Sequence, residues 1–221
     1  MRSLALAALA VVSLGGASAA TATPSDAGRA VFDVTRNGQP FGRHTISVTG
    51  SGDSLRAQTD VSLRADVGPI TMYRLEQRCT ETWSDGALAG LSCNTLKDGR
   101  RTRVQAEQRG GRLHVNGADG EHWFPASAFP TSWWTRPPTE GAETFIDTQT
   151  GAPMRVRVTR MGREAIEAGG QRIEAERIRV QGTLAVDLWY DDAGRWVGCA
   201  FESHGQHIQY RLTSPLSGLP A

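Results

Sequence analysis

The sequence predicts an all-β fold: a single curved antiparallel sheet, or half-barrel, made of successive hairpins. Apolar and polar residues alternate along many short stretches, which is typical of strands with one buried face. Glycine-containing turn pairs separate these stretches at intervals of about ten residues. No segment keeps the helical period of about 3.6 over some ten residues. An aromatic, proline-rich connector at 124–138 interrupts the strands, and we expect it against the concave face of the sheet.

The chain begins with the features of a signal peptide. Arg2 supplies a positive start, residues 4–14 are apolar, and A-S-A at 17–19 forms a small-residue cleavage site. We therefore expect a cleaved leader at 1–20 and a single all-β domain at 21–221, located in the periplasm or secreted. No other apolar run reaches the roughly 20 residues of a membrane-spanning helix, so we expect no transmembrane segment.

The charge balance argues against nucleic acid as a partner. The chain has 24 lysine and arginine residues and 23 acidic ones, and loss of the leader removes one arginine, so the two signs balance. Nucleic-acid binding proteins carry a basic excess clustered on one face. The same balance disfavours anionic membrane surfaces as general partners.

Strand and turn signals alternate through the first half of the chain. The Asn37-Gly38 pair is a strong hairpin signal between two apolar-alternating stretches. In the last strand before the next turn, Tyr73, Leu75, Cys79 and Trp83 share one face. The predicted strands of this half are 31–34, 44–48, 55–63 and 71–83, followed by a meander around turns at 98–99, 110–111 and 119–120.

The connector separates this run from a second run of hairpins. Its four prolines exclude a central strand, because proline cannot donate to a ladder. At most one turn of helix is expected, near residues 130–134, where proline is tolerated at a helix start. The predicted strands after the connector lie at 145–146, 154–158, on both sides of a turn at 168–170, and at 184–190, 196–201 and 208–212.

Two of the three cysteines are placed to form a disulfide. A three-residue loop at 85–87 pairs Ser84 with Leu88, and counting back along both strands puts Cys79 opposite Cys93. Opposed Cβ atoms in an antiparallel pair lie about 4.5–5.5 Å apart, close to disulfide reach. The alternative is two thiols packed as small apolar groups. Cys199 is left unpaired, in a stretch that indicates a buried strand.

The aromatic residues around the connector permit two interpretations. They could form a solid core in which the connector fills the concave face of the sheet. Alternatively, they could line a cavity between connector and sheet that holds an apolar ligand. The candidate ligand-binding residues under the second interpretation are Trp133, Trp134, Phe129, Trp189 and Tyr73.

A hydrolase motif is present in the wrong context. The G-D-S-L sequence at 52–55 with Asp119 and His122 downstream could suggest a serine nucleophile, Ser54, with a base. That chemistry needs the serine on a strand-to-helix turn of an α/β sheet. Here the motif lies in a short β-turn with no helix after it, so an ordinary turn is the favoured interpretation.

Neither a metal site nor a thiol nucleophile is expected. His204 and His207 are close in sequence, but residues three apart on a strand face opposite sides. A metal would need both of them on one side, together with a third ligand such as Cys199 or Glu202. A Cys199 nucleophile needs an exposed thiol of lowered pKa, which apolar flanks oppose. We expect no cofactor. The spacing of the acidic residues that could form a glycosidase pair favours none of them: Glu81, Asp147, Asp187, Asp191, Asp192 and Glu202.

Four segments of the chain together resemble an uncharacterised bacterial family of exported proteins of unknown function. They are F-D-V-T-R-N-G-Q-P-F-G-R-H-T at 32–45, M-Y-R-L-E-Q-R-C-T-E-T-W-S-D-G at 72–86, P-T-S-W-W at 130–134 and L-W-Y-D-D-A-G-R-W-V-G-C-A-F-E at 188–202. The resemblance implies a periplasmic, mostly antiparallel β fold and transfers no catalytic residue. More distantly, the architecture is similar to half-barrels of the lipoprotein-carrier type, a likeness of fold alone.

The sequence thus leads to one favoured function and two alternatives. We expect an exported protein that binds a hydrophobic or lipid-like ligand without catalysis. The first alternative is an envelope protein-interaction or scaffold module that uses an exposed strand edge or aromatic patch. The second is a hydrolase acting through Ser54 or Cys199.

Overall fold

The computed structural model describes residues 26–138 and 142–218, and in them fifteen strands form one open, curved sheet. The expected leader at 1–20 lies outside the described residues. Within the described part of the chain, no helix has the length and apolar character needed to cross a bilayer. The strands are β1 (Asp26–Arg36), β2 (Gln39–Ser51), β3 (Ser54–Val67), β4 (Ile70–Ser84), β5 (Ala87–Lys97), β6 (Arg100–Arg109), β7 (Arg112–Gly117), β8 (Gly120–Pro125), β9 (Phe129–Pro130), β10 (Ala142–Ile146), β11 (Pro153–Ala168), β12 (Gln171–Gly182), β13 (Val186–Tyr190), β14 (Trp196–Ser203) and β15 (Gln206–Leu212).

The strand order is a continuous meander with one long-range pairing. From one edge the order runs from β8 back to β1, then passes to β15 and runs back to β9. Antiparallel pairing of β1 with β15, as in Phe32 opposite Leu212, joins the two halves. The two edges of the sheet, β8 and β9, are consecutive in the chain and are separated only by residues 126–128. The connector therefore bridges the seam of a barrel-like sheet.

Proline limits pairing at both edges of the sheet. Pro125 ends β8, and Pro130 ends β9, which pairs in parallel with β10. A proline cannot donate to a further strand, so it blunts an edge. Residues 131–138 form turns and bends, and the single helical turn considered near residues 130–134 does not form.

Contacts of the connector show how strongly the sheet curves. Trp134 contacts Glu81 of β4, and the backbone of the adjacent Trp133 contacts Tyr190 of β13. These two strands are six places apart in the sheet, which corresponds to about 29 Å if the sheet were flat. Two neighbouring residues cannot span that distance, so the sheet wraps around the connector. The expected position on the concave face is confirmed.

The predicted disulfide between Cys79 and Cys93 is confirmed. The two residues are directly opposed on β4 and β5, with Cα atoms 4.1 Å apart. The turn differs from the prediction: it has two residues, and Ser84 pairs with Ala87. A bulge follows on β5, where the register shifts by one residue. The bulge compensates for the shorter turn, so the register at the cysteines is the predicted one.

The inward face of the sheet carries two apolar clusters. Along β3 and β4 every second residue is buried, as alternation requires. The larger cluster includes the connector and both edges of the sheet, and the smaller one lies near the end of the sheet where β3 turns into β4. The smaller cluster consists of Val34, Phe41, Val61, Leu63, Leu75 and Ile208.

Loss of the disulfide should destabilise the fold measurably. The bond closes a loop with a sequence separation of 14, for which restriction of the unfolded chain contributes about 3 kcal/mol. We expect the Cys79→Ala, Cys93→Ala double variant to lose about that much free energy of unfolding in urea denaturation. Reduced wild-type protein is the matched control and should unfold at the same urea concentration as the variant. Equal stability of the oxidised wild type and the variant would contradict the prediction.

Candidate functional site

Two tryptophans of the predicted site region hold one buried carboxyl group. The indole nitrogens of Trp134 in the connector and Trp83 on β4 each donate to Oε2 of Glu81 at 2.8 Å. The two rings meet edge to face, with centroids 5.7 Å apart. Glu81 has no exposed surface. This arrangement fixes the connector to β4, and it places Trp134 in the packed core.

The environment of Glu81 favours its protonated form. Burial raises the pKa of this carboxyl above the ordinary value of 4.5, while hydrogen bonds from Trp134, Trp83 and Ser132 oppose the shift. The contribution of Ser132 is the smallest, because neither Ser132 Oγ nor Glu81 Oε1 meets a partner at hydrogen-bond geometry.

Of the other aromatic residues in the connector, Phe129 belongs to the core and Trp133 lines a cavity. Phe129 is buried between Trp83 and Phe145, with ring centroids 5.7 and 5.5 Å away. Trp133 has a positive φ of 65°, and its carbonyl accepts a hydrogen bond of 2.9 Å from the hydroxyl of Tyr190. A non-glycine residue in this conformation is uncommon and is held there by its surroundings. The ring of Trp133 faces an internal cavity.

The inner cavity lies between the two halves of the sheet and has a volume of about 260 Å³. One wall comes from β2, β3 and β4, and the opposite wall from β14 and β15. The connector and the turn between β10 and β11 close it. Its lining includes His44, Val61, Leu75, Trp133, Cys199 and Tyr210.

A second cavity of about 450 Å³, the mouth cavity, continues from the first toward the end of the sheet. The two share four lining residues: Leu75, Gln149, Phe201 and Tyr210. Tyr73 lines the mouth cavity and packs on Phe41, with ring centroids 5.3 Å apart. The two cavities together form a hollow that opens at one end of the molecule. Its lining is apolar and aromatic over somewhat more than half, and polar over the rest.

Three titratable groups deep in the hollow, His44, Cys199 and Tyr210, are neutral near pH 7. Burial lowers the pKa of His44 to about 3, and its Nε2 has no hydrogen-bond partner. Burial also raises the pKa of the Cys199 thiol and of the Tyr210 hydroxyl. The carboxylate of Asp147 is occupied within its own turn by the backbone of Gln149 and the Thr150 hydroxyl. The inner end therefore carries no positive charge, and its one carboxylate, that of Asp147, already accepts these two hydrogen bonds.

Trp189 lies away from the hollow, on the outer face of β13. Leu188 and Tyr190 on either side are buried, so alternation directs Trp189 outward. Its indole donates to Glu164 at 2.6 Å, and the guanidinium of Arg177 lies 5.6 Å from the ring centroid.

Of the five aromatic residues expected to bind a ligand, Tyr73 and Trp133 line the hollow. Phe129 and Trp134 belong to its supporting core, and Trp189 is on the other side of the sheet. The lining residues that the sequence reasoning missed come from other strands: His44, Val61, Leu63, Ile208 and Tyr210. The alternation of β2, β3 and β15 was the available signal for their inward direction.

The hydrolase candidates are not assembled into a site. Ser54 is exposed at the turn between β2 and β3, whereas His122 pairs with Asp119 at 3.1 Å at the turn between β7 and β8. In a meander these two turns lie at opposite ends of the sheet. Cys199 is buried, and its raised pKa disfavours the thiolate.

The other polar candidates have separate local partners. His207 contacts Glu202 at 2.8 Å, and His204 contacts the hydroxyl of Ser203. No cluster of three or more histidine, cysteine, aspartate or glutamate residues occurs in the described ranges. The acidic residues considered as a glycosidase pair are used individually: Asp187 with Arg177 and Arg179, Asp191 with Arg195, and Asp192 with Arg163.

Substitution of Glu81 should separate its hydrogen bonding from its charge. Glu81→Leu leaves two buried indole N–H groups without an acceptor, so we expect a loss of about 2–4 kcal/mol in the free energy of unfolding. Glu81→Gln keeps an acceptor and cannot ionise. Because the folded state raises the pKa of Glu81, the contribution of this group to stability falls as pH rises above about 4.5, and this contribution should be absent in Glu81→Gln. Urea denaturation at pH 5 and pH 8 measures both effects, and parallel pH curves for wild type and Glu81→Gln would refute the second.

The pH dependence of stability that His44 contributes should be opposite to that of Glu81: it lowers the stability of the wild type in acid. The folded state lowers the pKa of His44 from 6.5 to about 3. Between these two pH values the unfolded chain binds a proton on His44 and the folded protein does not. The stability that depends on neutral His44 is present above pH 6.5 and is lost as pH falls toward 3. Relative to His44→Phe, which keeps an aromatic ring beside Phe32, Trp196 and Tyr210, the wild type should lose about 3 kcal/mol between pH 7 and pH 4.

The control for this experiment is His204→Phe. His204 is exposed, so its replacement should leave the pH dependence of unfolding unchanged. If His44→Phe and the wild type lose stability equally on acidification, His44 is charged in the folded protein and the inner cavity is not as described.

Comparison with known proteins bears on the fold and the family. A crystal structure of a β-barrel-like protein of the domain of unknown function DUF1849 from Brucella abortus superposes with a TM-score of 0.59 at 12% identity, covering 84% of this chain and 95% of that one. At that identity the likeness concerns the fold alone. No curated protein matches the chain.

Residues 32–213 match the family described as a domain of unknown function, DUF6134, and they cover all of the sheet from β1 to β15 except the start of β1. The sequence resemblance to an uncharacterised family is thereby confirmed. The chain belongs to the DUF6134 family.

Proposed function

We propose that this protein binds an apolar or lipid-like molecule in the hollow formed by the mouth cavity and the inner cavity, without catalysis. The observation that carries the proposal is the hollow itself, which lies between two halves of one sheet and opens at one end. Ligand sites are typically concave spaces of about 300–1,000 Å³ with apolar and aromatic walls and few polar groups. The mouth cavity, at about 450 Å³, falls in this range.

The lining supports an elongated ligand that enters with its apolar part first. Phe41, Leu63 and Ile208 line the mouth cavity, and Leu75 with Phe201 marks the passage to the inner one. A chain that passes from one to the other replaces water by apolar contact along its whole length, and such burial is favourable by about 25 cal/mol per Å².

The polar groups support a ligand whose deep end is uncharged. His44 is neutral near pH 7, and neither Tyr210 nor Cys199 ionises in the hollow. An ionised group placed there would lose its hydration without gaining a counter-charge. At the mouth, by contrast, the charged residues Arg36, Lys97 and Asp98 line the opening. A charged head group therefore belongs at the mouth and an apolar or hydroxylated end inside.

The same proposal places the protein outside the cytoplasm. Its support is the leader-like sequence at 1–20 together with the disulfide between Cys79 and Cys93, because disulfides persist in oxidising compartments. A carrier or receptor for an apolar molecule in the periplasm fits these features. An interaction module without a ligand needs no hollow, and the hydrolase candidates lie at opposite ends of the sheet.

Filling the hollow should abolish ligand binding without unfolding the protein. Leu75 lies at the junction of the two cavities, so Leu75→Trp should occupy part of both. We expect the affinity for a fluorescent apolar probe, N-phenyl-1-naphthylamine, to fall about tenfold or more, because a filled cavity leaves less room to bury the apolar surface of the probe. Native mass spectrometry and lipid extraction of the wild-type protein should reveal a bound apolar species that Leu75→Trp lacks.

The matched control is Ser62→Trp, which adds the same side chain to the exposed face of β3. It should bind the probe as the wild type does. Circular dichroism and thermal unfolding of both variants establish that they are folded. Equal probe affinity in folded Leu75→Trp and wild type, or a wild-type protein that carries no ligand and binds no probe, would overturn the proposal.

A further inference from the structure

The hairpin formed by β3 and β4 extends beyond the rest of the sheet. Pairing of β3 with β2 ends at Leu63, and pairing of β4 with β5 ends at Leu75. From residue 64 to residue 73 the two strands pair only with each other, and the backbone of Arg74 is bonded to Asp98 in the turn after β5. About four residues on each strand therefore project from the end of the sheet, a length of roughly 13 Å.

The tip of this hairpin is apolar and exposed. Val67, Ile70 and Met72 are 68%, 62% and 61% exposed, and they are three of the five exposed large apolar residues of the described chain. The turn between the strands is Gly68-Pro69, and the proline offers no N–H group. Apolar side chains grouped on a projection mark an interaction site, because folding alone does not place them in water.

Basic residues surround the base of the hairpin. Lys97, Arg100 and Arg101 are exposed at the turn between β5 and β6, and none of them forms a salt bridge with another described residue. Lys97 lines the mouth cavity together with Met72, so charge and apolar tip are adjacent. Asp98 in the same turn accepts a hydrogen bond from the backbone of Arg74 at 2.8 Å. The charges of the chain balance overall, and at this turn the three basic residues exceed the neighbouring carboxylates of Asp98 and Asp119 by one.

The charges on the hairpin itself are already paired. Arg64 contacts Asp66 at 2.8 Å, and Arg74 contacts Glu76. The aromatic ring of the hairpin, that of Tyr73, packs inward on Phe41. The projecting surface is therefore aliphatic, whereas the centres of protein–protein interfaces are rich in tryptophan, tyrosine and arginine.

We propose that this end of the protein docks on an anionic lipid surface, with the tip of the β3–β4 hairpin inserted among the head groups. A short aliphatic projection next to unpaired basic side chains is what such a surface attracts: apolar groups enter the boundary of the acyl chains, and lysine and arginine meet the lipid phosphates. Docking is a property of the hairpin and the neighbouring turn, and it holds whether or not the hollow carries a ligand. It does put the mouth of the hollow at the lipid surface.

The test is flotation of the purified protein with vesicles of phosphatidylcholine alone and of phosphatidylcholine with about one-third phosphatidylglycerol, since anionic lipid supplies the attraction. The wild type should float with the anionic vesicles and much less with the neutral ones. Val67→Ser with Ile70→Ser should lower the bound fraction about tenfold or more, by loss of apolar burial. Lys97→Gln with Arg100→Gln and Arg101→Gln should remove the preference for anionic lipid.

Two control variants match these changes elsewhere on the surface. Met161→Ser replaces an apolar side chain that is 46% exposed on β11. Arg155→Gln with Arg157→Gln and Arg172→Gln removes three exposed charges from β11 and β12. Both controls should float as the wild type does, and so should Leu75→Trp, because its substitution concerns the hollow.

A label at the tip reports insertion directly. An environment-sensitive fluorophore on Ile70→Cys should brighten with anionic vesicles, whereas the same label on Met161→Cys should not. Failure of the wild type to float, equal flotation with neutral and anionic vesicles, or wild-type behaviour of the tip variant overturns the proposal. Loss of a dimer in the tip variant, measured by light scattering, without any vesicle binding assigns the tip to a second copy of the chain and overturns it too.

Discussion

The structure depends on two hydrogen bonds of the connector that join the two halves of the sheet across its inside, together called the tie here. Neighbouring tryptophans of the connector bond to strands that lie six places apart: the indole of Trp134 to the carboxyl of Glu81, and the carbonyl of Trp133 to the hydroxyl of Tyr190. A sheet of this size twists and curls by itself, but twist alone does not fix how far its two halves separate. The connector sets that separation from within.

The tie also decides how much of the interior is solid. At the level of Phe129 and Trp134 the aromatic rings pack on each other and leave no opening. The ring of Trp133 packs on Phe145, with centroids 6.0 Å apart, and also lines the inner cavity, where the hollow begins. Both arrangements that the sequence permits for the connector therefore occur in the molecule: a packed core around Phe129 and Trp134, and a cavity beside Trp133.

Local features of the fold could be predicted from the sequence, and long-range ones could not. Alternation and turn residues specify hairpins, and counting back from the predicted turn at 85–87 places Cys79 opposite Cys93, although the turn itself is one residue shorter and a bulge restores the register. The pairing of β1 with β15 leaves no local trace, because it joins residues as far apart as Phe32 and Leu212, 180 positions. In the site, alternation already placed Glu81 on the face of Cys79 and Trp83, but a carboxylate is normally solvated and was grouped with the surface. Trp189 was misplaced for the converse reason: its size suggested burial, whereas its position between two inward residues directs it outward.

The pairing of the first strand with the last has a consequence for biogenesis. As the chain emerges, β1 can join β2 at once, but its other side stays unpaired until β15 has been made. Non-local strand pairing of this kind is slow, because a long loop must close, at a cost in entropy, before the stabilising contacts between its ends can form. During that interval the molecule carries an open edge beside half of its apolar interior, which is the surface that chaperones bind and that aggregation recruits. A protein with this topology needs protection until its last strand arrives.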